Sequence, residues 1–207
     1  MFECLELDVR DGVAHLTLNR PDAANGIDLQ LAQELLAASL LVVGDPTVRA
    51  VLLRAAGAGL SLVAASDVVV AGESAKFVMA YTGIGLTPDG SSSWFLPRLV
   101  GLRRALELTL TNRVLSAAEA LDWGVVTMVV PDDQVESEAG SLVARLAAGP
   151  TRAFGRAKRL LQESLGSSLE SHLAREAEAI VAAAATRDAS EGLAALVGKR
   201  SPVFGGE

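Results

Sequence analysis

Residues 57–98 read GAGLSLVAASDVVVAGESAKFVMAYTGIGLTPDGSSSWFLPR. Gly57 and Gly59 flank Ala58, and a chain without Cβ atoms at those points lets backbone N–H groups come close to a ligand. Leu60 to Ser66 has the length of one or two helical turns, whose start would aim free amides at an anion. Asp67 is expected to end that helix. Val68, Val69 and Val70 read as a buried strand, and Ala75-Lys76-Phe77 as a second short one. Gly83 to Gly90 holds too many Gly and Pro for the interior of a helix or strand. Helix resumes at Ser91.

Upstream, Leu5 to Val9 alternates with period two, Asp11-Gly12 signals a hairpin turn, and Val13 to Leu18 returns. Asn19-Arg20-Pro21 stops that strand, because proline cannot donate to a ladder. Asp28 can cap a helix to about Val43, with Leu31, Leu35 and Leu36 on one face. Val48 to Leu53 reads as a strand. Downstream, Trp94 to Leu110 reads as a helix with Leu99, Leu102, Leu106 and Leu110 as its stripe. Ser116-Ala117-Ala118-Glu119 is a capping box, and Gly124 a stop. Val125 to Val130 reads as a strand, and Pro131-Asp132-Asp133 opens a helix that stops at Gly149-Pro150. Thr151 to Ser164 is a basic helix. Leu169 to Ala184 carries an apolar stripe along a long helix. Asp188-Ala189-Ser190-Glu191 reads as another capping box, before a short helix to Lys199.

The totals narrow the classes of function. The chain has 207 residues, half of them hydrophobic, enough to bury a sizeable core. No run approaches the roughly 20 apolar residues of a membrane helix, and Met1-Phe2-Glu3-Cys4 lacks the form of a signal peptide. A net charge of −7 argues against general nucleic-acid binding. One cysteine and two histidines far apart in sequence, His15 and His172, give no basis for a metal centre. The expectation is a cytoplasmic protein without metal, membrane or nucleic-acid partner.

Taken together, Gly57-Ala58-Gly59-Leu60-Ser61-Leu62, Asp67, Ala75-Lys76-Phe77, Gly85-Leu86-Thr87-Pro88-Asp89-Gly90 and Leu96-Pro97-Arg98-Leu99-Val100-Gly101 resemble the crotonase superfamily, the enoyl-CoA hydratases and isomerases. The N-terminal hairpin, Asn19-Arg20-Pro21, helix and strand fit the same pattern, so the resemblance covers nearly the whole chain. It implies an α/β fold: a crotonase-like ββα spiral core over residues 1–131 and a C-terminal helical trimerisation region over 132–207. It implies an acyl-CoA thioester substrate, no separate cofactor since coenzyme A belongs to the substrate, and a homotrimer or hexamer. The chain departs from the family at one point. After a strand like Val48–Leu53 the family carries several dozen residues, with a loop of the form Gly-x-x-Phe-Ser-x-Gly-x-Asp. Here Arg54-Ala55-Ala56 runs directly into Gly57. Either the segment is deleted or a mobile loop is missing from the sequence.

The resemblance also implies the chemistry. Crotonases hold the thioester oxygen with two backbone N–H groups, where enolate charge develops. One matches Ala58, between Gly57 and Gly59; the other belongs to the absent segment. The two glutamates with which a hydratase splits water match Ser61 and Tyr81, and neither is a carboxylate base. Asp89 matches the lone carboxylate of the single-aspartate isomerase branch, which includes ring-epoxide isomerases. One carboxylate is enough to take a proton from one carbon and return it to another. A second reading makes Asp89 a helix N-cap. Asp22, Ala23, Ala24 and Asn25 match a turn that contacts CoA through backbone groups. Lys199 matches a lysine that reaches a CoA phosphate, with Leu196 beside it; a charge at a helix end explains Lys199 equally well. An enolate-forming isomerase leads, with a hydratase or a non-catalytic acyl-CoA binder as alternatives.

Overall fold

The computed structural model describes residues 2–23, 25–55 and 59–207. Strands β1 (Leu5–Arg10) and β2 (Val13–Leu18) form a hairpin whose turn, Asp11-Gly12, has both residues at positive φ, as a tight hairpin requires. Helix α1 (Leu29–Gly44) starts where Asp28 Oδ1 accepts the Leu31 N–H at 2.9 Å. Strand β3 (Ala50–Arg54) completes a sheet in the order β1-β2-β3. Cys4, Leu5, Leu16, Leu18, Leu31 and Ala38 are buried together here. Leu35 packs against them, but Leu36 faces solvent, so the inner face of α1 runs Leu31–Leu35–Ala38.

The decisive stretch begins with α2 (Leu60–Ala65), capped at its end by Ser66 rather than Asp67. Strand β4 (Val70–Gly72) starts two residues later than the Val68–Val70 run predicts, and Val68 is exposed. Strand β5 is Lys76–Val78. A 3-10 turn, Tyr81–Ile84, starts two residues before the expected Gly83–Gly90 loop and runs into it, and Gly85 at φ +77° closes it. Helix α3 (Ser92–Val100) and α4 (Leu102–Thr111) are separate, because Gly101 adopts φ +80° between them. That break shifts the helical phase. Leu96, Val100, Ala105 and Leu108 are buried, whereas the predicted stripe of Leu99, Leu102, Leu106 and Leu110 faces outward.

Strand β6 (Val114–Ser116) pairs antiparallel with β5, Phe77 opposite Leu115. The capping box opens α5 (Ala117–Asp122) as expected, with Ser116 and Glu119 bonding each other's backbone N–H. Only Met128–Val130 of the apolar run after Gly124 is strand. This is β7, parallel to β4; Val125 and Val126 are buried loop residues. Leu60, Ala71, Met79, Leu96, Val100, Leu108, Leu115 and Val126 share one core.

Helix α6 (Val135–Ala147) follows a short 3-10 turn. Then come α7 (Thr151–Ser164), α8 (Leu169–Ala184) and α9 (Arg187–Val197). No residue of α7 or α8 is buried, and Leu169, Leu173, Ile180 and Val181 are each more than half exposed. The cap of α9 is Thr186, whose hydroxyl accepts the Ala189 N–H, not Asp188. Asp188 is buried instead, and its carboxylate accepts the Gly205 and Gly206 N–H groups at 2.7 and 2.9 Å.

The chain divides into two compact units. One comprises residues 1–8, 15–42 and 52–141; the other comprises 9–14, 43–51 and 142–207.

Candidate active site

The first unit brings Ser61, Tyr81 and Asp89 together. Ser61 sits in the first turn of α2, fully buried at 0% exposure. The small side chain of Ser61 leaves room for the chain ahead of α3 to approach. Gly90, at φ +55°, comes so close that a Cβ there would lie 3.0 Å from the Ser61 Cβ. Gly90 and Ser91 both occupy the left-handed region, which turns the loop sharply into α3.

Asp89 is held by its own backbone. Its carbonyl oxygen accepts the Ser61 hydroxyl at 3.0 Å, the Ser92 hydroxyl at 2.8 Å and the Ser92 N–H at 3.1 Å. Ser92 is fully buried. The Asp89 side chain stands exposed, and its Oδ1 accepts the Tyr81 hydroxyl at 2.5 Å. The Tyr81 and Ser61 oxygens are 3.5 Å apart. The cap position of α3 is Ser91, with no side-chain capping bond, so the Asp89 carboxylate is engaged by the phenol and not by the helix amides.

Tyr81 is half-buried against the core that contains Met79. Burial, and then its bond to the Asp89 carboxylate, push its phenol above the usual range. Its own segment is pinned from α4: Asn112 Nδ2 donates to the Met79 carbonyl at 2.5 Å and to Thr82 Oγ1 at 2.8 Å, and Thr82 donates to the Thr109 carbonyl. Asn112, at φ +52° just past α4, and Ser92 are the two positions that sequence reasoning missed. An Asn ending a helix and a serine run opening one are common local signals. Nothing in an Asn at a helix end marks its contact to a distant loop, and nothing in a serine run says which carbonyl its hydroxyls reach.

Asp22 and Ala23 belong to an exposed 3-10 turn, Pro21–Ala23. Asn25 is buried at 3% exposure, with φ +53°; its Oδ1 accepts the Arg20 N–H at 2.6 Å, and its own N–H donates to the Arg20 carbonyl. Leu196 and Lys199 belong to the second unit; both are exposed, and Lys199 adopts φ +49° just after α9. Gly59 precedes α2 as its half-buried N-cap. Ala24, Gly57 and Ala58, and with them the junction expected between Leu53 and Gly57, lie outside the described residues. Among the described residues no cluster of His, Cys, Asp or Glu could hold a metal ion, and no helix is long and apolar enough to cross a membrane.

Comparison with known proteins gives this arrangement its setting. The family model for enoyl-CoA hydratase/isomerase matches residues 54–207. The 1,2-epoxyphenylacetyl-CoA isomerase of Escherichia coli is 35% identical over 99% of this chain and 77% of its own length. A probable enoyl-CoA hydratase of Rhodobacter capsulatus is 30% identical over 99% of both chains. That match spans 254 aligned positions against 207 residues here, so several dozen positions of the relative have no counterpart in this chain. The solved structure of an enoyl-CoA hydratase from Bacillus anthracis superimposes with a TM-score of 0.90 at 26% identity, over 99% of this chain and 100% of that one. Fold, motif order and match length agree: the chain has the crotonase fold and belongs to the enoyl-CoA hydratase/isomerase family of enzymes.

Proposed function

We propose that this enzyme isomerises an acyl-CoA thioester through an enolate, with Asp89 as the proton shuttle. The observation that carries the reading is the grouping of Ser61, Tyr81 and Asp89. The two positions that match a hydratase's glutamates hold hydroxyls, and both bind the one acidic residue: Tyr81 donates to the Asp89 carboxylate and Ser61 to the Asp89 main-chain carbonyl. Asp89 takes a proton from one carbon of the substrate; the electron pair passes to the thioester oxygen as an enolate. The same proton then returns to a different carbon. No water is consumed, so a single base is enough. The Ala58 N–H, between Gly57 and Gly59, holds the thioester oxygen, as the resemblance implies. The E. coli relative's name, an epoxyphenylacetyl-CoA isomerase, supports isomerisation over hydration.

As the resemblance implies, the turn at Asp22, Ala23, Ala24 and Asn25 contacts coenzyme A through backbone groups, and Lys199, with Leu196 nearby, reaches a CoA phosphate of a neighbouring subunit. The 132–207 region assembles the chain as a homotrimer or a dimer of trimers. The unburied apolar face of α8 supports that assembly, because a patch of this extent is uncommon on a free monomer.

The test is a panel of 2-enoyl-, 3-enoyl- and ring-epoxide CoA thioesters, read for double-bond movement and for water addition. Double-bond movement or ring rearrangement without hydration is expected. Asp89→Asn keeps the shape and removes the base, so the rate should fall by about 10²–10⁴. A variant that isomerises at the parent rate excludes the role of Asp89, and net hydration as the main reaction excludes the isomerase reading.

A further inference from the structure

The structure treats the two oxygens of the Asp89 carboxylate differently. Oδ1 accepts the Tyr81 hydroxyl at 2.5 Å, the length of a charge-assisted O–H···O⁻ bond. Oδ2 accepts no hydrogen bond from the described residues. Three donors fix the backbone of the same residue at its carbonyl. The phenol that holds Oδ1 is itself fixed, through the segment that Asn112 and Thr109 pin. A carboxylate held at its main chain and at one oxygen has one oxygen left for chemistry.

We propose that Tyr81 is a positioning residue for Asp89: its hydroxyl pins Oδ1 and leaves Oδ2 as the oxygen that carries the proton. This rests on the reading of Asp89 as the base. In the first half-reaction a substrate C–H bond breaks and an Oδ2–H bond forms, the electron pair going to the enolate. In the second, the Oδ2–H bond breaks and a new C–H bond forms. Tyr81 keeps its own proton throughout. Burial and the Asp89 bond both favour the neutral phenol, consistent with a donor that never ionises in the working range. A phenol that only filled space would need neither the short bond nor the pinned segment.

Tyr81 is the single tyrosine of the chain, so tyrosinate absorbance reports it alone. The first arm titrates the parent protein and Asp89→Asn and needs no substrate. The parent phenol should ionise above the ordinary value near 10, and the Asp89→Asn phenol at lower pH than the parent. Coincident titrations overturn the proposal. The second arm follows Tyr81→Phe with a trans-3-enoyl-CoA. A carboxylate no longer held at Oδ1 is misaimed at the substrate, so kcat should fall by about 10–100-fold. KM should change little. An unchanged kcat reduces Tyr81 to packing and overturns the proposal. The two readings fail separately: Asp89→Asn with parent activity removes the base, whereas an inactive Asp89→Asn with an unshifted phenol removes only the role of Tyr81.

Discussion

Gly90 is the point where a single methyl group should disturb both stability and the site. Its φ of +55° lies in the left-handed region, and an added Cβ would meet the Ser61 Cβ at 3.0 Å and Oγ at 3.3 Å. Gly85 is the internal control. It has φ +77°, and nothing lies within 4 Å of where its Cβ would stand. An L-residue in the left-handed region costs about 1–2 kcal/mol. Replacing Gly by Ala recovers about 0.4–1 kcal/mol by restricting the unfolded chain. Gly85→Ala should therefore destabilise by about 1 kcal/mol. Gly90→Ala carries the same cost plus the contact. Ser61 is fully buried and tied to the Asp89 carbonyl, so it cannot swing away, and overpacking of this kind costs about 1–3 kcal/mol more. Thermal unfolding at equal protein concentration measures the difference, each kcal/mol being worth about 2–4 °C for a chain of this size. Gly90→Ala should melt several degrees below Gly85→Ala. In a Ser61→Gly background, which removes the opposing Cβ, the Gly90→Ala penalty should fall to that of Gly85→Ala. Equal melting of the two single variants in the parent background would refute the claim that Gly90 is required by its approach to Ser61.

Acid should expose a second feature. The Ser116 N–H, the Ser116 hydroxyl and then Arg113 hold the Glu119 carboxyl at about 2, below its ordinary value of 4.5. A depressed carboxyl stabilises the fold above its unfolded value and loses that contribution as pH falls through the folded one. The stability advantage of the parent over Glu119→Gln should be constant above about pH 4.5 and shrink from there towards pH 2; urea unfolding across that range checks it, and a constant difference contradicts the assignment. For the assembly, sedimentation equilibrium should give three or six times the mass of one chain, and a stable monomer at micromolar concentration would refute the trimer.

The positions read correctly from the sequence share a short reach. The Asp11-Gly12 turn, the Asp28 cap, the Ser116–Glu119 box and the limits of Thr151–Ser164 each depend on atoms a few residues apart. The misread positions depend on something farther away. Asp188-Ala189-Ser190-Glu191 has the form of a capping box, yet the Asp188 carboxylate is taken by amides 17 and 18 residues on, which leaves the cap to Thr186. Leu99, Leu102, Leu106 and Leu110 repeat at helical spacing, but Gly101 breaks the helix and turns that stripe outward.

The site divides along the same line. From the sequence alone, Ser61, Tyr81 and Asp89 could be named as positions of interest, and the absence of glutamate at the first two pointed away from water chemistry. Spacing along the chain could not say that Tyr81 donates to one oxygen of Asp89, or that Ser61 and Ser92 share the Asp89 carbonyl. Those bonds join α2, the Tyr81 turn and the start of α3, segments that meet because their apolar residues bury one another in a common core. Local propensity acts within a few residues and is written in the sequence; which oxygen of a carboxylate a phenol holds is decided only when separate segments are packed together.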